Sequence, residues 1–338
     1  MHNIEGWNDY EGHPAQCRGA EKYTVSGGRG DGMKLLVVRN GLGLELVISE
    51  DRAADIVRAA FRGVNCGYFS PCGYVAPAYY DKEGTNFLRS FTAGFFATCG
   101  LTAVGSPCED EGEVLPLHGT ISNTPAEIYS VLEYADRLEI RAMVRDCALF
   151  ARKLVLDRTY TVWYTENRVD LHDVVFNEGD AVSPVMLLYH CNMGYPLLTE
   201  KSEVVIPHSS VKPRNDHAAE NIDTARQMEQ PQAGYEECCY YYDVKEKDGR
   251  AHAGIFNHEQ NTGVVISFDK TGLDCFTEWK MMGIHDYVLG LEPGNCYPDG
   301  RDVMRKTGIL KEIAPGAVYR TDLSFRFTDN YEKFTEVF

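Results

Sequence analysis

The amino-acid sequence predicts an all-β protein, a large sandwich or barrel built from many short strands. From Ile128 onward, short segments rich in β-branched and aromatic residues alternate with turn residues. Helical periodicity is scarce, and only the polar stretch Pro213–Gln230 favours a short helix. Since no repeat, low-complexity tract or linker-like change in composition divides the chain, we expect one domain over residues 1–338.

The elements begin with a polar and aromatic N-terminal arm, residues 1–24, which we expect to pack on the body. Ser26–Gly32 is rich in glycine but precedes a strand, so it predicts a turn and not a phosphate loop. Two strands are then joined at Asn40-Gly41, a strong hairpin signal. Residues 63–84 lack periodicity and predict a long loop on the body. The first strand of this hairpin is Lys34–Asn40. The other predicted strands are Ile56–Phe61, Ile128–Glu133, Leu138–Val144, Lys153–Asp157, Thr159–Tyr164, Val169–Phe176, Val185–Asn192, Val204–Ile206, Cys239–Val244, Ala253–Phe256, Val264–Phe268, Phe276–Lys280, Tyr287–Leu291 and Val318–Phe327.

Composition narrows the class of protein. With 338 residues, 44% of them hydrophobic, the chain can bury a sizeable core. Its net charge of -17 disfavours nucleic acid and anionic membranes as partners. The N-terminus has no signal-peptide pattern, no apolar run reaches membrane-spanning length, and the 11 cysteines contain no CxxC pair. We therefore expect reduced thiols and a cytoplasmic location.

Tyr287–Arg301 (YVLGLEPGNCYPDGR) carries the first candidate catalytic residue. The apolar strand Tyr287–Leu291 leads to Glu292, and Pro293 with Gly294 is expected to end that strand at once. A carboxylate at the end of an apolar strand is partly desolvated, which raises its pKa and suits a general base near neutral pH. The alternative is a solvated glutamate at a turn, the commoner situation for this residue type.

Two upstream segments offer further polar groups. Arg89 lies in FLRSFTAGFFATCGL among apolar and small residues, so we expect a buried guanidinium that needs partners. A structural ion pair and a fork that holds ligand hydroxyls or a carboxylate fit it equally well. His118 precedes Gly119 in LPLHGTISNTPAE, where it can reach a cleft or serve as an ordinary structural histidine.

Polar side chains also stand at the ends of two other strands. In VMLLYHCNMGYPLL an apolar strand ends at His190, and alternation puts Asn192 on the same face. Further along, Trp279 can stack on a sugar face and Lys280 can bind an anionic substituent. A core tryptophan and a surface lysine are the structural alternatives.

Neither an HExxH nor a GxSxG motif is present, and there is no Rossmann fingerprint. Two histidines and two glutamates form a set that can in principle converge on a metal ion. The sequence leaves this alternative open for His118, His190, Glu127 and Glu292.

As a set, four blocks resemble the galactose mutarotase-like superfamily of aldose 1-epimerases, and more closely its DUF4432 family. The similarity extends from about Leu35 to Phe327, and each block alone is a weak signal. The chain departs from the mutarotase pattern at Tyr189, where an Asn typically precedes the acid His, and at Ala126, where an aromatic typically follows Pro. The blocks are Gly94–Cys108 with Arg89 upstream, LPLHGTISNTPAE, LLYHCNMGYPLL and LGLEPGNCYPDGR.

The resemblance implies a β-supersandwich with an open carbohydrate cleft that holds a pyranose. Residue by residue, it makes Glu292 the base and His190 the acid of a cofactor-independent sugar epimerase, or mutarotase. The base would take a proton from the C1 hydroxyl while the acid protonates the ring oxygen, and the open aldehyde would rotate and close again. For this chemistry we expect the carboxylate and the imidazole on opposite sides of the sugar. The implied and expected substrate-binding residues are His118, Arg89, Asn192, Trp279 and Lys280.

Two alternatives keep the same fold. One is a carbohydrate-binding protein without catalysis, and the other is a metal-dependent sugar isomerase or lyase. In all three cases the expected partner is a small-molecule carbohydrate. The sequence leaves open whether this ligand is anionic and whether the protein forms oligomers.

Overall fold

The computed structural model describes residues 9–338, and antiparallel β-sheets dominate it. The predicted all-β class is therefore confirmed. In chain order the strands are β1 (Arg18–Thr24), β2 (Lys34–Asn40), β3 (Leu44–Ser49), β4 (Asp55–Phe61), β5 (Val64–Asn65), β6 (Tyr68–Phe69), β7 (Ala93–Gly94), β8 (Phe96–Leu101), β9 (Cys108–Asp110), β10 (Glu113–Leu115), β11 (Ala126–Glu133), β12 (Arg137–Cys147), β13 (Lys153–Trp163), β14 (Arg168–Asn177), β15 (Ser183–Met193), β16 (Ser202–Val205), β17 (His208–Pro213), β18 (Cys238–Val244), β19 (Glu246–Lys247), β20 (Arg250–Asn257), β21 (Thr262–Phe268), β22 (Cys275–Met282), β23 (Tyr287–Gly294), β24 (Lys311–Ile313) and β25 (Val318–Thr328). The helices of the described chain are α1 (Asp216–Glu220), α2 (Arg301–Lys306) and α3 (Tyr331–Thr335), with short 3-10 turns at Pro14–Gln16, Gly28–Gly30, Pro77–Tyr79, Asn86–Arg89, Ile121–Asn123 and Ile222–Thr224.

Two large sheets form the body. The nine-stranded sheet has the order β11-β12-β13-β14-β25-β21-β20-β16, with β19 beside β20. The seven-stranded sheet has the order β17-β18-β22-β23-β15-β24, and β8 also pairs with β15. A five-stranded sheet, β1 to β5 in sequence order, and the two-stranded pairs β6-β7 and β9-β10 complete the described chain.

Burial along the strands shows how the sheets pack. Strands β12 and β14 mostly alternate between buried and more exposed residues, so one face of the nine-stranded sheet packs inward and the other meets solvent. Strands β15 and β23 are buried along nearly their whole length, because both faces of the seven-stranded sheet are covered. One hydrophobic core joins Leu46 of the five-stranded sheet, Phe325 of the nine-stranded sheet and Leu289 of the seven-stranded sheet. This is sheet-on-sheet packing, as in a sandwich.

A buried ion network ties β13 to the rest of the core. The side chain of Arg158 is fully buried, and its Nε and Nη2 donate to Asp173 at 3.0 and 2.7 Å. Nη1 donates to Asp55 at 2.6 Å and to the carbonyl of Ala53 at 3.0 Å, and Nη2 also donates to Thr98 at 2.7 Å. All five N–H groups of the guanidinium are thus paired, as a buried charge requires.

Two predicted strand boundaries are wrong. Lys153–Asp157 and Thr159–Tyr164 belong to one strand, β13, because Arg158 at the apparent break is buried in an ion network and does not lie in a turn. Strand β23 does not end at Glu292 but continues through Gly294, since its pairing with β22 extends to that residue. The helix in Pro213–Gln230 is confirmed, whereas α2 and α3 were not predicted.

The start of the described chain also differs from the prediction. Residues 1–8 of the predicted N-terminal arm lie outside the described residues. Its later part includes β1, an edge strand of the five-stranded sheet in which Arg18 pairs with Asn40. The segment 63–84 contains β5 and β6 within a longer loop, and the turn at Ser26–Gly32 precedes β2 as predicted. Within residues 9–338, none of the helices is long and apolar enough to span a bilayer.

Candidate active site

Three neighbouring strands of the seven-stranded sheet bring the candidate catalytic pair together. Glu292 on β23 pairs with Thr277 on β22. Between β23 and β15, Cys191 pairs with Leu291, and this register places His190 beside Glu292. Because side chains alternate along a strand, these three polar side chains leave the same face. Glu292 and His190 therefore meet, as the sequence predicts.

The three side chains lie in a cavity of about 300 Å³. This volume is at the lower end of the range for small-molecule sites and fits a ligand the size of a monosaccharide. The ring of His190 lies 5.3 Å from that of Phe91 and 5.1 Å from that of Trp279, measured between centroids. The apolar part of the wall is formed by Phe87, Phe91, Leu117, Pro107, Pro298 and Trp279.

The candidate pair is buried and poorly satisfied. Glu292 is 1% exposed and His190 is 5% exposed, and His190 Nδ1 lies 3.1 Å from Glu292 Oε1. Neither of these two atoms makes a hydrogen bond within residues 9–338, and the same is true of Thr277 Oγ1. Buried polar atoms without partners are rare in folded proteins. The three atoms Glu292 Oε1, His190 Nδ1 and Thr277 Oγ1 are therefore available for hydrogen bonds to a molecule bound in the cavity.

Burial also changes the protonation of the pair. It raises the pKa of Glu292 well above its ordinary value, with a further increase from the charge of Glu237 and a decrease from that of Arg214. It lowers the pKa of His190 to about 4, an effect that the amide of Asn192 opposes. Both shifts favour the uncharged form of the group, so burial favours a carboxylic acid beside a neutral imidazole, a pair that holds one transferable proton.

His118 lies beside the pair, with its ring centroid 5.5 Å from that of His190, on a loop that is hydrogen-bonded to Gly105. Its backbone N–H donates to the carbonyl of Gly105 at 2.9 Å, and its Nδ1 accepts from the N–H of Gly105 at 3.3 Å. Since Nδ1 is an acceptor, the neutral ring carries its proton on Nε2. Burial lowers the pKa of His118 to about 3, with contributions from His190 and Arg214. The next residue, Gly119, has φ 73°, and a Cβ there would collide with the carbonyl of Gly100.

Trp279 forms a fixed aromatic wall. It lies two residues from Thr277 on β22 and therefore projects from the same face. Its Nε1 donates to the carboxylate of Glu237 at 2.7 Å, which holds the plane of the indole ring. Glu237 is exposed and also lines the cavity, so a negative charge stands at the cavity mouth.

Two predicted binding residues lie elsewhere. Lys280 is 1% exposed and projects from the opposite face of β22, where its Nζ donates to Glu229 at 2.8 Å. The one-residue offset from Trp279 causes this, so the predicted role of Lys280 as an anion-binding residue is wrong. Arg89 is exposed and does not line the cavity, so the expectation of a buried guanidinium is also wrong. Its 3-10 turn directs Phe87, rather than Arg89, inward.

Asn192 supports the site less directly than predicted, and Glu127 is not part of it. Asn192 is fully buried, and its Nδ2 donates to the backbone carbonyl of His190 at 2.7 Å, but the residue does not line the cavity. Glu127 is exposed on β11 and is not part of the cavity, so the predicted set of four possible metal ligands does not converge. Within residues 9–338, no three side chains of His, Cys, Asp or Glu are arranged to hold a metal ion.

Tyr189, one of the two departures from the mutarotase pattern, has a structural explanation. It projects to the face of β15 opposite His190, and its hydroxyl donates to Asp173 of the buried ion network at 2.6 Å. The residue before the candidate acid therefore serves the core and not the cavity.

The structure adds Arg214, which sequence reasoning missed. It follows β17 and lines the cavity. Its only sequence context is a polar stretch that predicts a helix, so nothing local marks it. Thr277 was also missed, although its position two residues before Trp279 places it on the same strand face.

Solved structures place the fold in a known class. The chain is similar to a protein from Klebsiella pneumoniae subsp. pneumoniae MGH 78578, described as a "putative aldose 1-epimerase", with 27% identity, a TM-score of 0.87 and coverage of 94% of this chain and 85% of that chain. Galactose mutarotase-like proteins from Clostridium acetobutylicum and Lactobacillus casei ATCC 334 share 12% and 13% identity, with TM-scores of 0.65 and 0.57. These matches cover 92% and 91% of this chain and 99% and 100% of the other chains. The fold is a galactose mutarotase-like β-sandwich, as the resemblance implies.

The family follows from the sequence match. Residues 30–327 match the model of a domain of unknown function, DUF4432. Because this match covers most of the chain, the protein belongs to the DUF4432 family, which confirms the resemblance found in its motifs. No curated protein matches the sequence.

Proposed function

We propose that the protein is a cofactor-independent sugar epimerase, or mutarotase, that interconverts the anomers of an aldose or modified aldose by general acid/base ring opening. One observation carries this proposal: Glu292 Oε1 and His190 Nδ1 are buried, make no hydrogen bond within the described part of the chain, and lie 3.1 Å apart in a cavity the size of a monosaccharide. The similarity to the Klebsiella protein supports it.

The geometry suits this chemistry because the two reacting oxygens of a pyranose are close together. The C1 hydroxyl oxygen and the ring oxygen are bonded to the same carbon, so a base and an acid that serve them must also be close. The expectation that Glu292 and His190 stand on opposite sides of the sugar is wrong, because their side chains are 3.1 Å apart on neighbouring strands. A sugar seated against both groups presents its C1 hydroxyl to one and its ring oxygen to the other.

The proton count of the pair also fits. Carboxylic acid plus neutral imidazole contains the same number of protons as carboxylate plus imidazolium. The two atoms lie 3.1 Å apart without being aligned as a hydrogen bond, so a rotation of either side chain has to align them before one proton transfer interconverts the two forms. In the second form Glu292 takes the proton of the C1 hydroxyl, the bond between C1 and the ring oxygen breaks, and His190 protonates that oxygen. The aldehyde rotates about C1–C2, and the reverse transfers close the ring and restore the pair.

Other residues hold the sugar during these steps. The Nε2–H of His118 is a donor for a sugar oxygen, and the fixed indole ring of Trp279 offers a face for the C–H groups of the sugar. The apolar wall excludes water and strengthens the electrostatic interactions in the cavity.

The test compares anomer exchange in wild type and Glu292→Gln over a panel of free aldoses, followed by exchange NMR. We expect the amide to lower kcat by roughly 10²–10⁴-fold, the usual contribution of a general base. Glu127→Gln is the matched control, because it makes the same chemical change at an exposed glutamate outside the cavity. Equal rates for wild type and Glu292→Gln on every sugar that is turned over would reject Glu292 as the base.

Two further measurements separate the alternatives. Saturable binding of a sugar without any acceleration of anomer exchange would identify a binding protein. A stoichiometric divalent ion in protein purified without added metal, together with loss of activity on chelation, would favour a metal-dependent isomerase or lyase.

A further inference from the structure

Arg214 has a position that neither the motifs nor the proposed acid/base pair explains. It follows the last residue of β17, and its backbone N–H donates to the carbonyl of Cys239 on β18 at 3.0 Å. Its guanidinium reaches two other loops. Nε donates to Asp299 at 3.1 Å, and Nη2 donates to the hydroxyl of Ser106 at 2.9 Å and to the carbonyl of Pro298 at 3.3 Å. The side chain is thus fixed by two loops around the cavity, and the backbone at Arg214 is fixed by β18.

One end of this guanidinium is left free for a ligand. A guanidinium has five N–H groups, and the oxygen acceptors account for the N–H of Nε and the two of Nη2. The two N–H groups of Nη1 have no oxygen acceptor within residues 9–338; the nearest partner is the sulfur of Cys239 at 4.0 Å, a weak acceptor. Arg214 lines the cavity and keeps part of its side chain exposed. Two fixed donors are therefore available where a ligand binds.

The charge of Arg214 is partly compensated. The carboxylate of Asp299 that accepts from Nε also accepts from the hydroxyl of Tyr241 at 2.7 Å. With Glu237 at the mouth and Lys280 on the other face of its strand, the cavity has no excess of positive charge. Because Asp299 offsets its charge, Arg214 is better suited to donate to the oxygen atoms of an uncharged sugar than to bind a phosphate or sulfonate.

We infer that Arg214 is a substrate-binding and positioning residue of this cavity, an inference that rests on the proposed function. Its Nη1 donates to hydroxyl oxygens of the sugar, while its charge, moderated by Asp299, sets the electrostatic potential at Glu292. It takes the role that the resemblance assigns to Arg89.

The charge of Arg214 shifts the pKa values of its neighbours in a definite direction. The positive charge of Arg214 lowers the pKa of Glu292 and of His118, so it favours deprotonation of the groups around the sugar. The thiols near Glu292 have raised pKa values, which makes them neutral at physiological pH. The titratable and charged groups that face Glu292 are His190, His118, Arg214, Glu237, Cys99, Cys191 and Cys239.

The experiment measures the pH profile of kcat/KM for wild type, Arg214→Gln, Arg214→Lys and Asp299→Asn on a sugar that wild type turns over. Arg214→Gln should raise KM roughly tenfold or more, because a charged donor to the substrate is lost. It should also move both limbs of the profile to higher pH, since removing the positive charge raises the pKa of Glu292, which titrates together with His190. Asp299→Asn should move both limbs to lower pH, because it leaves the charge of Arg214 uncompensated. Arg214→Lys keeps the charge and should raise KM with little movement of the limbs.

Arg89→Gln is the control, and this change at an exposed arginine should leave KM and the profile unchanged. The inference is overturned if folded Arg214→Gln keeps the KM and both limbs of wild type, or if the Gln and Asn variants shift the limbs in the same direction. Folding is checked by circular dichroism, and Arg214→Lys with Asp299→Asn decides the outcome if Arg214→Gln does not fold.

A binding measurement separates this inference from the proposed function. Saturation-transfer NMR compares binding of the same sugar by Glu292→Gln with and without Arg214→Gln. If wild type shows no epimerase activity but Arg214→Gln weakens sugar binding, the proposed function fails and the Arg214 contact survives. If wild type is active and Glu292→Gln is not, yet Arg214→Gln leaves binding unchanged, only the Arg214 contact is wrong.

Discussion

A single added methyl group, Gly290→Ala, tests whether the position of Glu292 matters for activity. Gly290 lies two residues before Glu292 on β23 and pairs with Trp279 on one side and Asn192 on the other. A Cβ at Gly290 would lie 3.1 Å from the Cβ of Trp279 and well within 3.0 Å of Glu292 Oε1. The carboxylate folds back over the glycine, so this position holds the base only because it has no side chain.

The expected loss of kcat in Gly290→Ala follows from these distances. Ordinary van der Waals contact with a Cβ begins at 3.4 Å, so the carboxylate must move by roughly 1 Å. A misplacement of about 1 Å in a reacting group costs on the order of 10²-fold in rate. The backbone at Gly290 does not require positive φ, and replacing glycine restricts the unfolded chain, which offsets part of the steric cost. We therefore expect kcat to fall about 100-fold while the free energy of unfolding changes by less than about 2 kcal/mol.

The assay is exchange NMR of the anomers at saturating sugar, with urea denaturation to measure stability. Gly12→Ala is the matched control, because the nearest atom to a Cβ at that position is 3.9 Å away. The control should keep the rate of wild type. If Gly290→Ala keeps kcat within about threefold of wild type, the required position of the carboxylate is not the one described, and the geometric argument fails.

Three further predictions concern other parts of the site and the core. His190 has a folded-state pKa of about 4, below its ordinary value of 6.5, so its contribution to stability is present above pH 6.5 and is lost as pH falls toward 4. Because His118 and Glu292 also have shifted pKa values, the contribution of His190 is the difference in this loss between wild type and His190→Gln in urea denaturation, and it should approach about 3 kcal/mol; equal losses in the two proteins would contradict the assignment. Trp279→Ala should raise KM about tenfold, because the aromatic wall of the cavity is lost. Lys280→Met, one residue away on the opposite face of β22, is the control and should leave KM within about twofold of wild type. A large increase in KM for Lys280→Met would place its side chain at the ligand. Asp173→Ala should destabilise the fold by about 3–5 kcal/mol, because it removes one partner of the fully buried Arg158, and a loss below about 1 kcal/mol would show that the network relaxes or admits water.

Much of the fold can be predicted from the sequence, because each strand has its own local pattern of residue types. The alternation of residue types and the turn residues place most strands within a few residues of their observed bounds. The same local logic finds Glu292 and His190, since each is a polar residue within or at the end of a strand that is otherwise apolar. The local pattern is misleading at Arg158, where a charged residue inside a strand suggests a break between two strands. Its buried partners Asp55 and Asp173 are distant in sequence, so no local pattern indicates them.

The sequence by itself determines the β class, the family and the two residues of the candidate acid/base pair, because these depend on patterns that short stretches of chain contain. Tertiary structure alone decides which neighbours share the cavity. Trp279 lies on the face of β22 that lines the cavity, whereas Lys280 lies on the opposite face. Arg214, and not Arg89, lines the cavity because three loops converge there. Strand register and loop convergence depend on contacts between segments far apart in the chain, and for that reason no local pattern of residues predicts them.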